Sequence, residues 1–341
     1  MKKRKEDIVI IGAGVGGLTA AKTLAEDGFS PLVLEKNKGF GQKACGEVVF
    51  AERFGFSFHD FAKDSDIILE RFNHLIMNYG DKTWTIETPC TLFSIDKKGF
   101  EKHLAEEAKN IGARIHLGRK VVKIERRGAT ILINGEIETK LIIGADGFFS
   151  KIREFVGEHI KGYSFAVSAE AECDYRLCGF FNPNIVQKGC AWIFPRGKKR
   201  KSNIGVVSFK ETEKMWLYWK RFVKKFKLKP TNIKGAFIPA QLPSRTYFDN
   251  ILLVGDAACL TDPFTGAGIN SAIISGFLAA ETAKEALKEN RTDASFLKRY
   301  EKAWRKRMYF KLFKANLKQK IFYEALSHHE NIPSMLLKFL F

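Results

Sequence analysis

Ile8-Val9-Ile10-Ile11-Gly12-Ala13-Gly14-Val15-Gly16-Gly17 decides the fold: a short apolar, β-branched run breaks into a glycine-rich turn that opens a helix-like stretch, Leu18 to Asp27. The run reads as a buried parallel strand. At this spacing Gly12 permits the tight turn, Gly14 lets the backbone approach a pyrophosphate, and Gly17 lets the helix pack close on the strand. A second run, Pro31-Leu32-Val33-Leu34, ends in Glu35, eighteen residues beyond Gly17, where a carboxylate takes a ribose hydroxyl. An acid there favours an unphosphorylated ribose, so FAD or NAD is expected over NADP; a solvated strand end beside Lys36 is the alternative.

Two later segments repeat the pattern of a buried strand ending in an acid. Leu141-Ile142-Ile143-Gly144-Ala145-Asp146-Gly147 leads into Phe148-Phe149-Ser150-Lys151-Ile152-Arg153, a basic helix start. Ile251-Leu252-Leu253-Val254 runs into Gly255-Asp256, then through Pro263, Gly266 and Gly268-Ile269-Asn270 to a long apolar helix. Backbone N–H groups at such a start attract an electron-rich oxygen, and the helix dipole favours negative charge there. A reduced flavin carries that charge along its N1 and C2 carbonyl edge. Taken alone the segment also fits an ordinary strand, loop and helix; its agreement with the other two makes FAD the expected cofactor.

The three segments together resemble the p-hydroxybenzoate-hydroxylase-like superfamily of FAD-dependent oxidoreductases, which contains the geranylgeranyl reductases. The resemblance covers roughly the first 290 residues. It implies a pyrophosphate held by Gly12, Gly14 and Gly17, a ribose held by Glu35, Asp146-Gly147 near the dinucleotide, and Gly255-Asp256 at the ribitol and pyrophosphate. The implied contact set extends to Ala13, Val15, Gly16, Lys36, Cys45, Gly46, Val122, Pro263, Gly266, Gly268, Ile269 and Asn270. Ile95-Asp96-Lys97-Lys98-Gly99-Phe100 looks like the family's helix leading to the strand near adenine, with Lys97 where arginine is usual. Lysine offers a point charge without the planar fork, so Lys97 is either a less directional phosphate ligand or a solvated charge.

Substrate is read from two segments. Gly189-Cys190-Ala191-Trp192-Ile193-Phe194-Pro195-Arg196 resembles the Tyr-x-Trp-x-Phe-Pro motif of geranylgeranyl reductases, with Cys190 in place of the tyrosine. Trp192 and Phe194, two apart on a strand, share a face and are expected to wall a prenyl tunnel with Pro195; core packing of the sheet is the alternative. A basic rim of Arg196, Lys198 and Lys199 is expected to receive a diphosphate or phospholipid head. Cys45-Gly46, which the same reductases carry near the flavin, makes Cys45 and Glu47 candidate catalytic residues, Cys45 positioning substrate and Glu47 supplying a proton. A structural loop serves equally for both. The reaction implied is reduction of carbon–carbon double bonds in a geranylgeranyl lipid or diphosphate. The rivals are a flavin monooxygenase and a non-catalytic prenyl carrier. A halogenase motif would need tryptophan at Cys190 and isoleucine at Phe194.

The resulting fold class is α/β, α+β overall. A Rossmann-like FAD-binding domain (1–75, 95–158 and 245–295) is interleaved with an antiparallel-sheet substrate domain (76–94 and 159–244), whose expected strands include Asn78 to Glu87. A basic amphipathic helical segment (296–341) follows, carrying Trp304, Met308, Tyr309, Phe310, Leu312, Phe313, Leu317, Ile321 and Phe322. It either lies on an anionic membrane or packs on the protein. Members of the resembling family commonly run longer at the C-terminus, so the pocket is expected to be closed by this tail, a membrane or another subunit. With 57 Lys and Arg against 38 Asp and Glu, the charge is +19, yet no nucleic-acid motif accompanies the basic runs. Six scattered cysteines suit free thiols, and no spacing suits a metal. No apolar run spans a bilayer and no signal-peptide core is visible, so a cytoplasmic or membrane-peripheral protein is expected. The electron donor is open among NAD(P)H, reduced ferredoxin and a deazaflavin.

Overall fold

The computed structural model describes residues 4–62, 66–79, 82–197, 200–209 and 211–328. Lys198 and Lys199, and the tail 329–341, lie outside the described residues. In chain order the elements begin β1 (Arg4–Ile11), α1 (Val15–Glu26), β2 (Leu32–Glu35), β3 (Val48–Phe50), β4 (Glu52–Arg53), β5 (Phe56–Ser57) and α2 (Phe58–Ala62). Next come β6 (Ile68–Tyr79), β7 (Lys82–Ile95), α3 (Lys97–Asn110), β8 (Arg114–Leu117), β9 (Ile124–Arg127), β10 (Thr130–Ile133), β11 (Ile137–Gly144) and α4 (Lys151–Phe155). The chain continues through β12 (Tyr163–Glu172), β13 (Cys178–Phe181), β14 (Gly189–Pro195), β15 (Lys201–Ser208), α5 (Met215–Lys225), β16 (Thr231–Pro239), β17 (Tyr247–Phe248) and β18 (Ile251–Leu253). It closes with α6 (Ile269–Lys288), α7 (Ala294–Trp304) and α8 (Phe310–His328).

The first sheet runs β17-β18-β11-β1-β2-β8, with β9 and β10 attached at β11. Its central strands are parallel and buried on both faces, which is why they read as unbroken apolar runs. Register does the work of assembly. Ile11 lies beside Gly144, and Gly144 beside Leu253, so the carboxyl ends of β1, β11 and β18 finish level. Gly12, Ala145 and Val254 therefore leave the sheet together, at the edge where open parallel sheets place their ligands. α1 reaches this edge closely. A Cβ on Gly17 would fall inside the Gly12 carbonyl, and one on Gly276 of α6 inside that of Gly16, so α1 is clamped between strand and helix.

The second sheet runs β16-β12-β15-β14-β13-β6-β7-β3. It is antiparallel except where β13 pairs parallel with β6. The strand expected over Asn78 to Glu87 is instead the tip of the β6–β7 hairpin, in which Asn78 pairs with Thr83. Its arms run back to Ile68 and on to Ile95, so residues 68–75, which the sequence assigned to the FAD-binding domain, belong to the second sheet. Alternation within a long hairpin looks the same in either arm, so periodicity alone could not locate the turn.

α7 and α8 are joined by one π-helical turn, Arg305–Tyr309, and the expected single amphipathic face becomes two. Trp304, Met308, Leu312 and Phe322 are buried, while Phe310, Phe313, Leu317 and Ile321 are exposed. All six cysteines are free, and among the described residues no helix is long and apolar enough to cross a membrane.

Candidate active site

A cavity of about 380 Å³ lies between the carboxyl edge of the first sheet and one face of the second. Its polar half is built by the glycine turn. Gly12, at φ 105°, has no room for a Cβ against Ala145, whereas a Cβ on Gly14 would meet nothing within 4 Å and would project into open space. Glu35, buried at the end of β2, accepts the Ala13 N–H at 2.8 Å through Oε2 and those of Asn37 at 2.8 and 2.7 Å through Oε1. The carboxylate is thus aimed at the turn, and Asn37 rather than the exposed Lys36 accompanies it on the cavity wall.

The loop from Gly39 to Gly46 forms the floor and is tied down from four directions. Gly41 N donates to Glu101 Oε2 at 2.7 Å, and Lys234 Nζ donates to the Gly41 carbonyl at 2.7 Å. Lys43 pairs with Asp256. Asn203 Nδ2 donates to the Cys45 carbonyl at 2.9 Å while Asn203 Oδ1 accepts the Trp192 indole N–H at 2.8 Å. Burial raises the Asp256 carboxyl, but Lys43 and the Thr261 hydroxyl outweigh it and hold it below the ordinary value. Lys97 lines the cavity from the first turn of α3, and its ammonium is buried 2.5 Å from Glu101 Oε1. Burial lowers the Lys97 amine and Glu101 more than restores it, so Lys97 stays charged inside a buried ion pair.

The remaining members of the sequence-read set fall into two groups. Gly147, Gly255, Gly266, Gly268 and Ile269 line the cavity, and α6 begins at Ile269 with no side chain capping its first turn. Asp146 turns its Oδ2 back to the Lys151 N–H at 2.7 Å, while its Oδ1 is buried without a hydrogen-bond partner. Asn270 brackets the Phe50 backbone, accepting at 3.3 Å and donating at 3.0 Å, so it fastens α6 to β3. Pro263 is buried outside the lining, and Val122 stands apart, 65% exposed, its N–H on Asn134. An open Gly14, a turn-facing acid and an uncapped helix start together fit an FAD.

The apolar half of the cavity belongs to the second sheet. Trp192 and Phe194 stack with centroids 6.1 Å apart and share the wall with Met77, Phe181 and Phe264. Cys190 stands beside them, its thiol pushed up to about 12 by burial, so it is a neutral part of that wall. Pro195, one residue out of phase, faces a separate polar groove. Arg196 is not an open rim residue: it meets Glu47 at 3.0 Å, Glu170 at 3.1 Å and Asp96 at 3.7 Å. Three carboxylates already balance its charge, and that leaves little for a phosphate.

Cys45 lines the cavity, and Glu47 sits behind it in a left-handed conformation at φ 57°, its N–H 3.4 Å from Cys45 Sγ. Burial raises both groups, against the opposing charge of Lys97 at Cys45 and of Arg196 and Lys97 at Glu47, so the Cys45 thiol stays neutral and Glu47 keeps its proton to higher pH than a free carboxyl does. Asn203, Lys43, Glu101 and Asp262, whose carboxylate takes Phe264 N–H and Thr265 N–H and pairs with Arg53, escaped the sequence reading. Only the fold brings Asn203 and Glu101 to the loop.

Comparison with known proteins agrees with this geometry. The FAD binding domain family matches residues 70–309, and an NAD(P)-binding Rossmann-like domain matches residues 10–73. A digeranylgeranylglycerophospholipid reductase of Methanococcus aeolicus is 30% identical over 95% of this chain and 88% of its own length. A geranylgeranyl bacteriochlorophyll reductase-like structure from Thermoplasma acidophilum superposes with a TM-score of 0.84 at 24% identity, covering 99% of this chain and 91% of that one. A probable FAD-dependent monooxygenase from Pseudomonas aeruginosa shares the fold at a TM-score of 0.73 and 16% identity, over 95% and 97%.

Proposed function

The chain belongs to the FAD binding domain family and to the family of the digeranylgeranylglycerophospholipid reductases, and on that premise we propose that it reduces carbon–carbon double bonds in the geranylgeranyl chains of a prenyl lipid. The observation that carries the reading is one cavity with two chemically distinct halves, a glycine and carboxylate cradle facing a wall of Trp192, Phe194, Met77 and Phe181. When bound, FAD supplies the electron pair, as hydride, to one alkene carbon.

Everything else is the chain's work. Gly14 and Glu35 hold the dinucleotide, and the start of α6 offers positive potential to its negative groups. An isolated alkene has no carbonyl to polarise, so rate must come from holding it in place in a dry pocket. The stacked Trp192 and Phe194 and the neutral Cys190 supply that surface. Cys45, kept protonated at the wall, and Glu47 behind it are the groups that hold a proton near the second carbon.

The test is anaerobic turnover. FAD-loaded protein, reduced with NAD(P)H, ferredoxin or a deazaflavin, is expected to raise the mass of a digeranylgeranyl phospholipid by pairs of hydrogens. Unchanged lipid with every donor contradicts the proposal.

A further inference from the structure

We propose that the outer face of α8 docks on an anionic lipid surface, seating the enzyme on the membrane directly behind the apolar end of its cavity. The substrate side of this inference rests on the reading above; the docking itself does not. At about 100° per residue, Phe310, Phe313, Leu317 and Ile321 fall within a single arc of roughly 80°. Their exposures are 65%, 44%, 49% and 49%. Lys314 and Lys318 flank the stripe on one side and Lys320 on the other, and Lys306 and Arg307 are exposed on the preceding turn.

The occupant follows from this mixture. A protein partner would favour an apolar centre depleted of lysine. A stripe of two phenylalanines, a leucine and an isoleucine, edged by lysines on a chain of charge +19, suits the boundary between acyl chains and acidic headgroups. The opposite arc of the same helix explains the placement. Phe322 packs edge-on against Phe181 at 5.1 Å and Phe264 at 5.5 Å, and both of those rings line the cavity. One helix therefore touches bilayer on one face and the back of the prenyl wall on the other.

The experiment sediments FAD-loaded protein with phosphatidylglycerol–phosphatidylcholine vesicles and with phosphatidylcholine alone, in parallel with turnover on detergent-dispersed lipid. Wild type is expected to partition onto the anionic vesicles and to release with salt. F310Q/L317Q is expected to lower that partition by about tenfold or more, with detergent-phase turnover unchanged. K314Q/K320Q is expected to lose about tenfold on anionic vesicles and nothing on neutral ones. Partition of both variants equal to wild type overturns the proposal. So does binding lost only in a tail variant, L336Q/L337Q, or a wild-type dimer that F310Q/L317Q splits without any vesicle binding. Because vesicle binding is read without turnover, a failed lipid-reduction assay leaves this result standing by itself.

Discussion

Replacing Asn203 with leucine should loosen the active-site floor without touching the dinucleotide cradle. Asn203 is 5% exposed and spends both ends of its amide, on the Trp192 indole N–H at 2.8 Å and on the Cys45 carbonyl at 2.9 Å. Leucine keeps most of the volume and leaves two buried polar groups without partners. Each orphaned group costs about 1–3 kcal/mol, so the expected loss is about 2–6 kcal/mol. Urea unfolding followed by circular dichroism measures it. Introducing W192F removes one of the orphans, so the double variant should recover about 1–2 kcal/mol relative to additivity. Because Cys45 lines the cavity while Gly14 and Glu35 lie on the other half, lipid turnover should fall by about tenfold with FAD affinity changed less than about threefold. A stability loss under about 0.5 kcal/mol, or additive behaviour with W192F, would refute the bridge.

Three further outcomes follow from the same geometry. Gly14→Val should fold, since its Cβ meets nothing, yet lose on the order of 100-fold in FAD affinity by equilibrium dialysis; Gly17→Ala should instead cost about 1–3 kcal/mol of stability through its clash with the Gly12 carbonyl. Lys97→Met strands the buried Glu101 carboxylate and should cost about 3–5 kcal/mol, most of which K97M/E101Q recovers because glutamine still accepts from Gly41. Asp256 is held below its ordinary value of 3.8, so its contribution to stability is complete above that pH and is lost as pH falls through the lower, folded value. Lys43→Met should therefore cost about 1 kcal/mol at neutral pH, the lysine being half exposed, and the gap to wild type should close in acid as Asp256 protonates.

What was legible in the sequence was local. The strand, glycine turn and helix around Gly12, and the acid at Glu35, sit at spacings fixed by backbone geometry, and the structure places them as read. Burial of β1, β11 and β18 followed from their unbroken apolar runs. The floor of the site was not legible, because Asn203 reaches Cys45 across 158 positions, through the β14–β15 register. Arg196 looked like a free cation because Glu47, Asp96 and Glu170 come to it from three separate elements. In α8 the aromatic spacing announced a helix but not its orientation, since both arcs are apolar and only packing on Phe181 and Phe264 tells inside from outside.

The central claim is that this cavity brings a prenyl double bond to a bound, reduced FAD. Single-turnover absorbance in an anaerobic stopped-flow cell, with the lipid recovered for mass spectrometry, tests it most directly. The account predicts flavin reoxidation on mixing with digeranylgeranyl lipid, one double bond lost for each flavin reoxidised, and marked slowing in Trp192→Ala. Flavin that stays reduced with the lipid and reoxidises only on admission of oxygen, inserting an oxygen atom into a substrate, would contradict it.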